Sequence, residues 1–146
     1  MSFPVLARLA AFAMVPVLLT HSVTVHAEAT ADRIAVTVTG HGPDVILIPG
    51  LASAAHVWDA TVAALAPHYR VHVVQVAGFA GAPAGANASG PVMAPTLDAI
   101  HGYIVAHHLQ APAVIGHSLG GLMAMKLAID HPADVGRVMI VDSLPF

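Results

Sequence analysis

Polar and apolar residues alternate over positions 34–39, with Ile34, Val36 and Val38 on one side and Ala35, Thr37 and Thr39 on the other. A period of two predicts a strand with one wetter face. Gly40-His41-Gly42-Pro43 is a turn signal, and positions 45–48 are then continuously apolar, as in a strand buried on both faces. Trp58, Val62 and Leu65 recur at i, i+4 and i+7, which predicts a helix over 56–65 ended by Pro67. A further strand is predicted over 71–76. Thr96 is placed to cap a helix carrying Leu97, Ile100, Ile104 and His108 on one face. Pro112 restarts the chain as a short buried strand over 113–115. A long apolar helix then runs from Leu119 to about Asp130, stopping before Pro132, and positions 137–141 form a last strand. Strands alternating with helices in this way predict an α/β fold on a parallel sheet.

Two segments stand outside that rhythm. Residues 77–91 are almost entirely Ala, Gly, Pro, Asn and Ser, a loop long enough to be functional or mobile. Residues 9–19 are almost wholly apolar, follow Arg8, and precede the small residues of Val25-His26-Ala27. This is the pattern of a secretory signal peptide over residues 1–27, cleaved after Ala27. The run is about half the length needed to span a bilayer, so no stable membrane span is expected. The competing reading is a buried N-terminal helix, which Pro16 in mid-run disfavours. The remaining residues, 28–146, are enough for one small domain.

The chemistry centres on Gly116-His117-Ser118-Leu119-Gly120-Gly121, at the junction of the 113–115 strand and the apolar helix. The pattern is G-x-S-x-G in a strand–turn–helix context, which holds a serine hydroxyl in the open at a tight turn. This run resembles the nucleophile elbow of the α/β hydrolases, and the resemblance extends over roughly Ile34 to Phe146. It implies a three-layer α/β-hydrolase sandwich, here its N-terminal portion only, truncated after the family's sixth strand. It also implies a serine hydrolase acting on a small-molecule acyl substrate without a cofactor. Ser118 is then the nucleophile, and Gly116 and Gly120 the elbow glycines. The oxyanion hole takes backbone N–H groups from Leu119 and from the loop after the 45–48 strand. Where the family commonly has His-Gly, this chain has Pro49-Gly50, and the matching donor is Leu51. A plain strand-to-helix turn is the alternative for Leu51.

The family order places an acid and then a histidine after the serine. Asp142, at the end of the last strand, is the candidate acid; a surface or loop-capping aspartate is the alternative. The only histidine after Ser118 is His131. It lies about 13 residues along the helix, roughly 20 Å away at 1.5 Å per residue, whereas a base must approach within about 3 Å. His131 is therefore excluded as the base if the helix is continuous, and His131-Pro132 reads as a helix end. His117 occupies a variable motif position and reads as structural or pocket-lining. His56 follows the oxyanion loop and borders the site.

Composition narrows the partners. Hydrophobic residues make up 57% of the 146 residues and cysteine is absent, which suits an exported bacterial enzyme, secreted or periplasmic, without a disulfide framework. Removing the signal takes Arg8 but no acid, moving the net charge from −3 to −4. The other basic residues, Arg33, Arg70, Lys126 and Arg137, are scattered, so nucleic acid is not an expected partner. The eleven histidines include no H-E-x-x-H motif, and no metal site is expected. Two readings stay open: a serine hydrolase, and a catalytically inactive fragment or binding module lacking the triad histidine. In the second, a sheet ending at Val141 leaves an edge through which the chain self-associates.

Overall fold

The computed structural model describes residues 32–143. The signal-peptide reading of residues 1–27 lies outside them. Five strands, β1 (Ile34–Thr39), β2 (Asp44–Ile48), β3 (Arg70–Val76), β4 (Ala113–His117) and β5 (Arg137–Val141), form one sheet in the order β1-β3-β2-β4-β5. Helices α1 (Asp59–Leu65), α2 (Met93–Ala106) and α3 (Leu119–Asp130) complete three layers. Ile46, Ile48, Val74 and Val76 pack with Ile100, Ile104, Met123 and Leu127 on the α2 and α3 side. Val45, Leu47, Val71 and Val73 pack on Trp58 on the other. β2 is buried on both faces, as its continuous apolar run requires.

Two local expectations are corrected. β1 is antiparallel to β3, whereas β2, β3, β4 and β5 run parallel. The cause is the short link over residues 40–43: a parallel partner needs a crossover of a dozen or more residues. That link packs on the α1–β3 connection, where a Cβ at Gly42 would lie 2.6 Å from His68 O and φ is +116°. Second, α2 begins at Met93, so Thr96 lies inside the helix, fully buried, and does not cap it. Pro95 falls in the first turn, where the missing N–H has no intrahelical partner to lose. His108, expected on the helix face, lies past its end with φ +52°.

The 77–91 loop is tied down by one side chain. A 3₁₀ turn, Gly85–Asn87, ends on a side chain that ties the loop to its own start at Ala77 and to Arg33, just before β1. Asn87 accepts from Arg33 Nη1 at 2.6 Å and donates to Ala77 O at 3.1 Å and Arg33 O at 3.3 Å.

Among the described residues, β5 differs from the other strands. Val138, Met139 and Ile140 remain 37%, 58% and 45% exposed, and β5 has β4 on one side only. No described helix is long and apolar enough to cross a membrane.

Candidate active site

Ser118 joins β4 directly to α3, with φ +52° and ψ −119°. A side-chain-bearing residue adopts this combination only under constraint, at a cost of about 1–3 kcal/mol. The constraint comes from both flanks. The Ser118 N–H donates to Val141 O at 2.9 Å, tying the turn to the end of β5. Its carbonyl accepts from Gly121 and Leu122 N–H at 2.9 and 3.2 Å, which starts the helix at once. The side chain makes no capping hydrogen bond.

The glycines make the turn sterically possible. A Cβ at Gly116 would collide with the Gly120 carbonyl, and one at Gly120 with the carbonyls of Ile48 and Pro49. α3 therefore starts in backbone contact with the end of β2. Gly50 closes the same corner: a Cβ there would lie 3.0 Å from His117 Nδ1 and 3.3 Å from Ser118 Cβ. The loop after β2 is a turn held by Ser53 N–H to Gly50 O at 3.1 Å, with Ala52 at φ +56°. Ser118, Leu119, Gly116, Gly120 and the Gly50–Leu51 corner thus meet at the carboxyl ends of β2 and β4. Leu119 opens a helix, where the first N–H groups lack intrahelical acceptors.

The remaining sequence candidates divide. Asp142 lies at the carboxyl end of β5 with φ +47°; its 91% exposed side chain places Oδ2 3.8 Å from His117 Nε2. His117 touches the Gly50 corner on one side and faces Asp142 on the other. His56 is exposed on the 3₁₀ turn Ala55–Trp58. His131 ends an unbroken α3, the full length of the helix from Ser118, so the geometric exclusion holds. The hydrogen bonds and ion pairs of His72, His101 and His117 run to Asp44, Tyr103, Asp134 and Asp142 and not to Ser118.

A scan against protein families matches residues 43–146 to the alpha/beta hydrolase fold. The chain belongs to the α/β-hydrolase family. Among curated relatives it is 33% identical over 106 residues to a pimeloyl-[acyl-carrier protein] methyl ester esterase of Vibrio vulnificus, covering 73% of this chain and 39% of that one. It is 36% identical over 108 residues to the enzyme of the same name from Aeromonas hydrophila, covering 73% and 40%. A solved hydrolase from Pseudomonas aeruginosa superposes with a TM-score of 0.69 at 23% identity, over 83% of this chain and 46% of that one, which shows the shared fold. The chain spans about two fifths of the length of the curated relatives it matches.

Two features of this α/β-hydrolase chain escaped the sequence reading. Gln75, near the end of β3, accepts from Ala55 N–H at 2.8 Å and donates to the carbonyls of Val76 and Phe79 at 3.0 and 3.3 Å. One amide thereby braces two loops bordering the elbow. The second feature lies at the opposite, amino end of the sheet. There Asp44 receives Arg70 through Nε at 2.5 Å and Nη2 at 3.0 Å, and His72 Nε2 at 2.9 Å. His72 Nδ1 meets the Tyr103 hydroxyl at 2.8 Å.

Burial, against the opposing pull of Asp44, holds the His72 pKa below its ordinary value. The ring is therefore neutral at pH 7, donating from Nε2–H to Asp44 and accepting from Tyr103 at Nδ1. Burial pushes the Asp44 carboxyl up, but hydrogen bonds and charge from Arg70 and His72 outweigh it and leave the pKa low. The His–Asp pair looks catalytic by composition, yet it sits about 13 Å from the elbow, four residues along β2 at 3.3 Å each. Asp44, one residue before the predicted 45–48 strand, and His72, inside the 71–76 one, gave no periodic signal that could have joined them.

Proposed function

We propose that Ser118 is the nucleophile of a serine esterase whose elbow and oxyanion corner this chain carries. The observation behind the reading is the φ +52°, ψ −119° conformation of Ser118 between β4 and α3. Such strain, with no capping hydrogen bond from the side chain, is what a turn built to present a hydroxyl requires. Ser118 Oγ attacks the ester carbonyl while a base takes its proton. The Leu51 and Leu119 N–H groups hold the oxyanion as it forms. The alcohol leaves with the proton, and water then releases the acid from the acyl-enzyme. Asp142 is the acid that orients the base. The base itself we assign to polypeptide outside residues 32–143 or to a second chain, because His131 is at the wrong end of α3.

For substrate we propose an ester joining an apolar acyl chain to a small alcohol. The methyl ester esterases similar to this chain favour it, as does Leu51, 67% exposed in the loop whose Gly50 meets the elbow. Reaction with a fluorophosphonate probe, in the protein together with the polypeptide that supplies the base, tests the nucleophile. Labelling at Ser118, located by mass spectrometry and absent in Ser118→Ala, is the expected result. A folded sample that stays unlabelled would remove the reading.

The exposed Val138, Met139 and Ile140 of β5 favour a second reading, a non-catalytic module that pairs through this edge with a second copy. It predicts a dimer by light scattering that Met139→Lys disperses, with no probe labelling. We further propose export with cleavage after Ala27, which the intact mass of periplasmic material checks.

A further inference from the structure

We propose that His101, His131 and Asp134 bind one divalent transition cation of the zinc class, at the far end of α3 from Ser118. The three residues come from two places, α2 and the turn that ends α3, and are brought together by the packing of α2 on α3. His101 lies on α2, beside the buried Ile100 and Ile104. Pro132 ends α3, and His131 leaves the helix at φ −133° and ψ 61°. The Asp134 N–H then donates to His131 O at 3.0 Å. This turn returns the carboxylate to the side of the ring three residues before it.

The result is a cluster whose ligand atoms all lie within 4.8 Å of one another. His101 Nε2 meets Asp134 Oδ2 at 2.9 Å. The His101 and His131 rings stack with centroids 3.5 Å apart and planes 7° from parallel. A tetrahedral ion with bonds of about 2.0–2.1 Å spaces its ligands roughly 3.3 Å apart; His101 and Asp134 are already near that separation, and the His131 donor lies within 4.8 Å of both. One movement is needed. An imidazole binds metal through the lone pair in its plane, and stacked rings present faces. The His131 ring, on a turn rather than within the helix, rotates so that its edge meets the ion.

The donor set selects the metal. Two imidazoles and one carboxylate suit Zn, Co, Ni or Cu, and two nitrogens disfavour Mg and Ca. With both rings neutral the site carries one negative charge. Lys126, on the same helix, is held by Asp130 at 2.8 Å. His101 and Asp134 are 24% and 44% exposed, so an ion has a path in. Three protein ligands leave a position for water.

Titration of the full chain with zinc sulfate by calorimetry, and with cobalt followed by visible absorption, tests the site. The expected result is one ion per chain, cobalt bands of tetrahedral intensity, and a rise in thermal midpoint on zinc addition. His101→Ala and Asp134→Ala should each weaken binding at least about tenfold, while His41→Ala and His68→Ala, at exposed loop positions, leave it unchanged. Asp134→Ala alters a partly exposed turn residue and decides the matter alone if His101→Ala does not fold. Absence of binding up to millimolar zinc, or equal binding by Asp134→Ala, would overturn the proposal.

Discussion

The two ends of the sheet solve opposite problems with the same strands. At the carboxyl ends of β2 and β4, backbone meets backbone: Gly116, Gly120 and Gly50 remove side chains so that a strained serine stands between strand and helix. At the amino ends of β2 and β3, side chains meet side chains: Asp44, Arg70, His72 and Tyr103 satisfy one another's polar groups. One end holds an uncompensated hydroxyl in an unfavourable conformation. The other holds a histidine and an aspartate with every strong donor engaged. A His–Asp pair is therefore no guide to chemistry by itself; the strained residue is the better pointer, because backbone strain of this kind gathers at functional sites.

The sharpest break of this comparison is at Gly120. Its missing Cβ leaves room for the carbonyls of Ile48 and Pro49, neither of which can swing aside as a side chain can. Gly120→Ala should destabilise the fold by about 3–5 kcal/mol, read by urea denaturation of the full chain. Gly81, where a Cβ meets nothing within 4 Å, has φ +81°, so Gly81→Ala should show only a smaller, conformational loss of about 1 kcal/mol.

At the other end, Asp44→Ala leaves the buried His72 Nε2–H without its acceptor. Arg70 is 44% exposed and turns to water, so the loss comes mainly from His72. A destabilisation of about 2 kcal/mol is expected, with Ser118 labelling unchanged. Reduced labelling in a still-folded Asp44→Ala would couple the two ends and break the contrast.

The same network sets a pH dependence. His72 has a folded pKa below the ordinary 6.5, so the unfolded chain binds more protons between the two values. Stability therefore rises with pH in that window and is lost as pH falls below 6.5. Asp44, also lowered, adds a loss as pH falls below 3.8. The His72 slope approaches at most about 1.4 kcal/mol per pH unit, and His72→Gln should flatten it below pH 6.5.

The carboxyl end was legible in sequence because its information is local. Gly116, Ser118 and Gly120 lie within five consecutive positions, between a strand and a helix whose apolar periods announce themselves. The positions of Leu119, and of Leu51 after the β2 run, follow from strand–loop order. The amino-end network was not legible, since Asp44, His72 and Tyr103 are separated by 28 and 31 residues. Only the pairing of Asp44 with Arg70 and of Ile46 with His72 places them together. The antiparallel β1 was readable in principle, since a four-residue link cannot carry a parallel crossover; the helix–strand alternation further along masked it. Asp142 was placed correctly at the strand end, but its turn toward His117 depends on the φ +47° it adopts there.

The smallest predicted effect has the opposite sign to the others. Ser118→Gly gives the elbow a residue for which φ +52°, ψ −119° is accessible. It should relieve part of the roughly 1–3 kcal/mol of backbone strain. Against that, glycine raises the entropy of the unfolded chain by about 0.5–1 kcal/mol. The net gain is about 1 kcal/mol, a rise of roughly 4 °C in thermal midpoint for a domain of this size, together with loss of probe labelling. Ser118→Ala, which keeps the Cβ and loses only the hydroxyl, should remove labelling without the gain. A protein stabilised by glycine but not by alanine locates the strain in the backbone of the nucleophile residue. If both variants match the parent, the turn is at ease, and the contrast between the two ends of the sheet loses its physical basis.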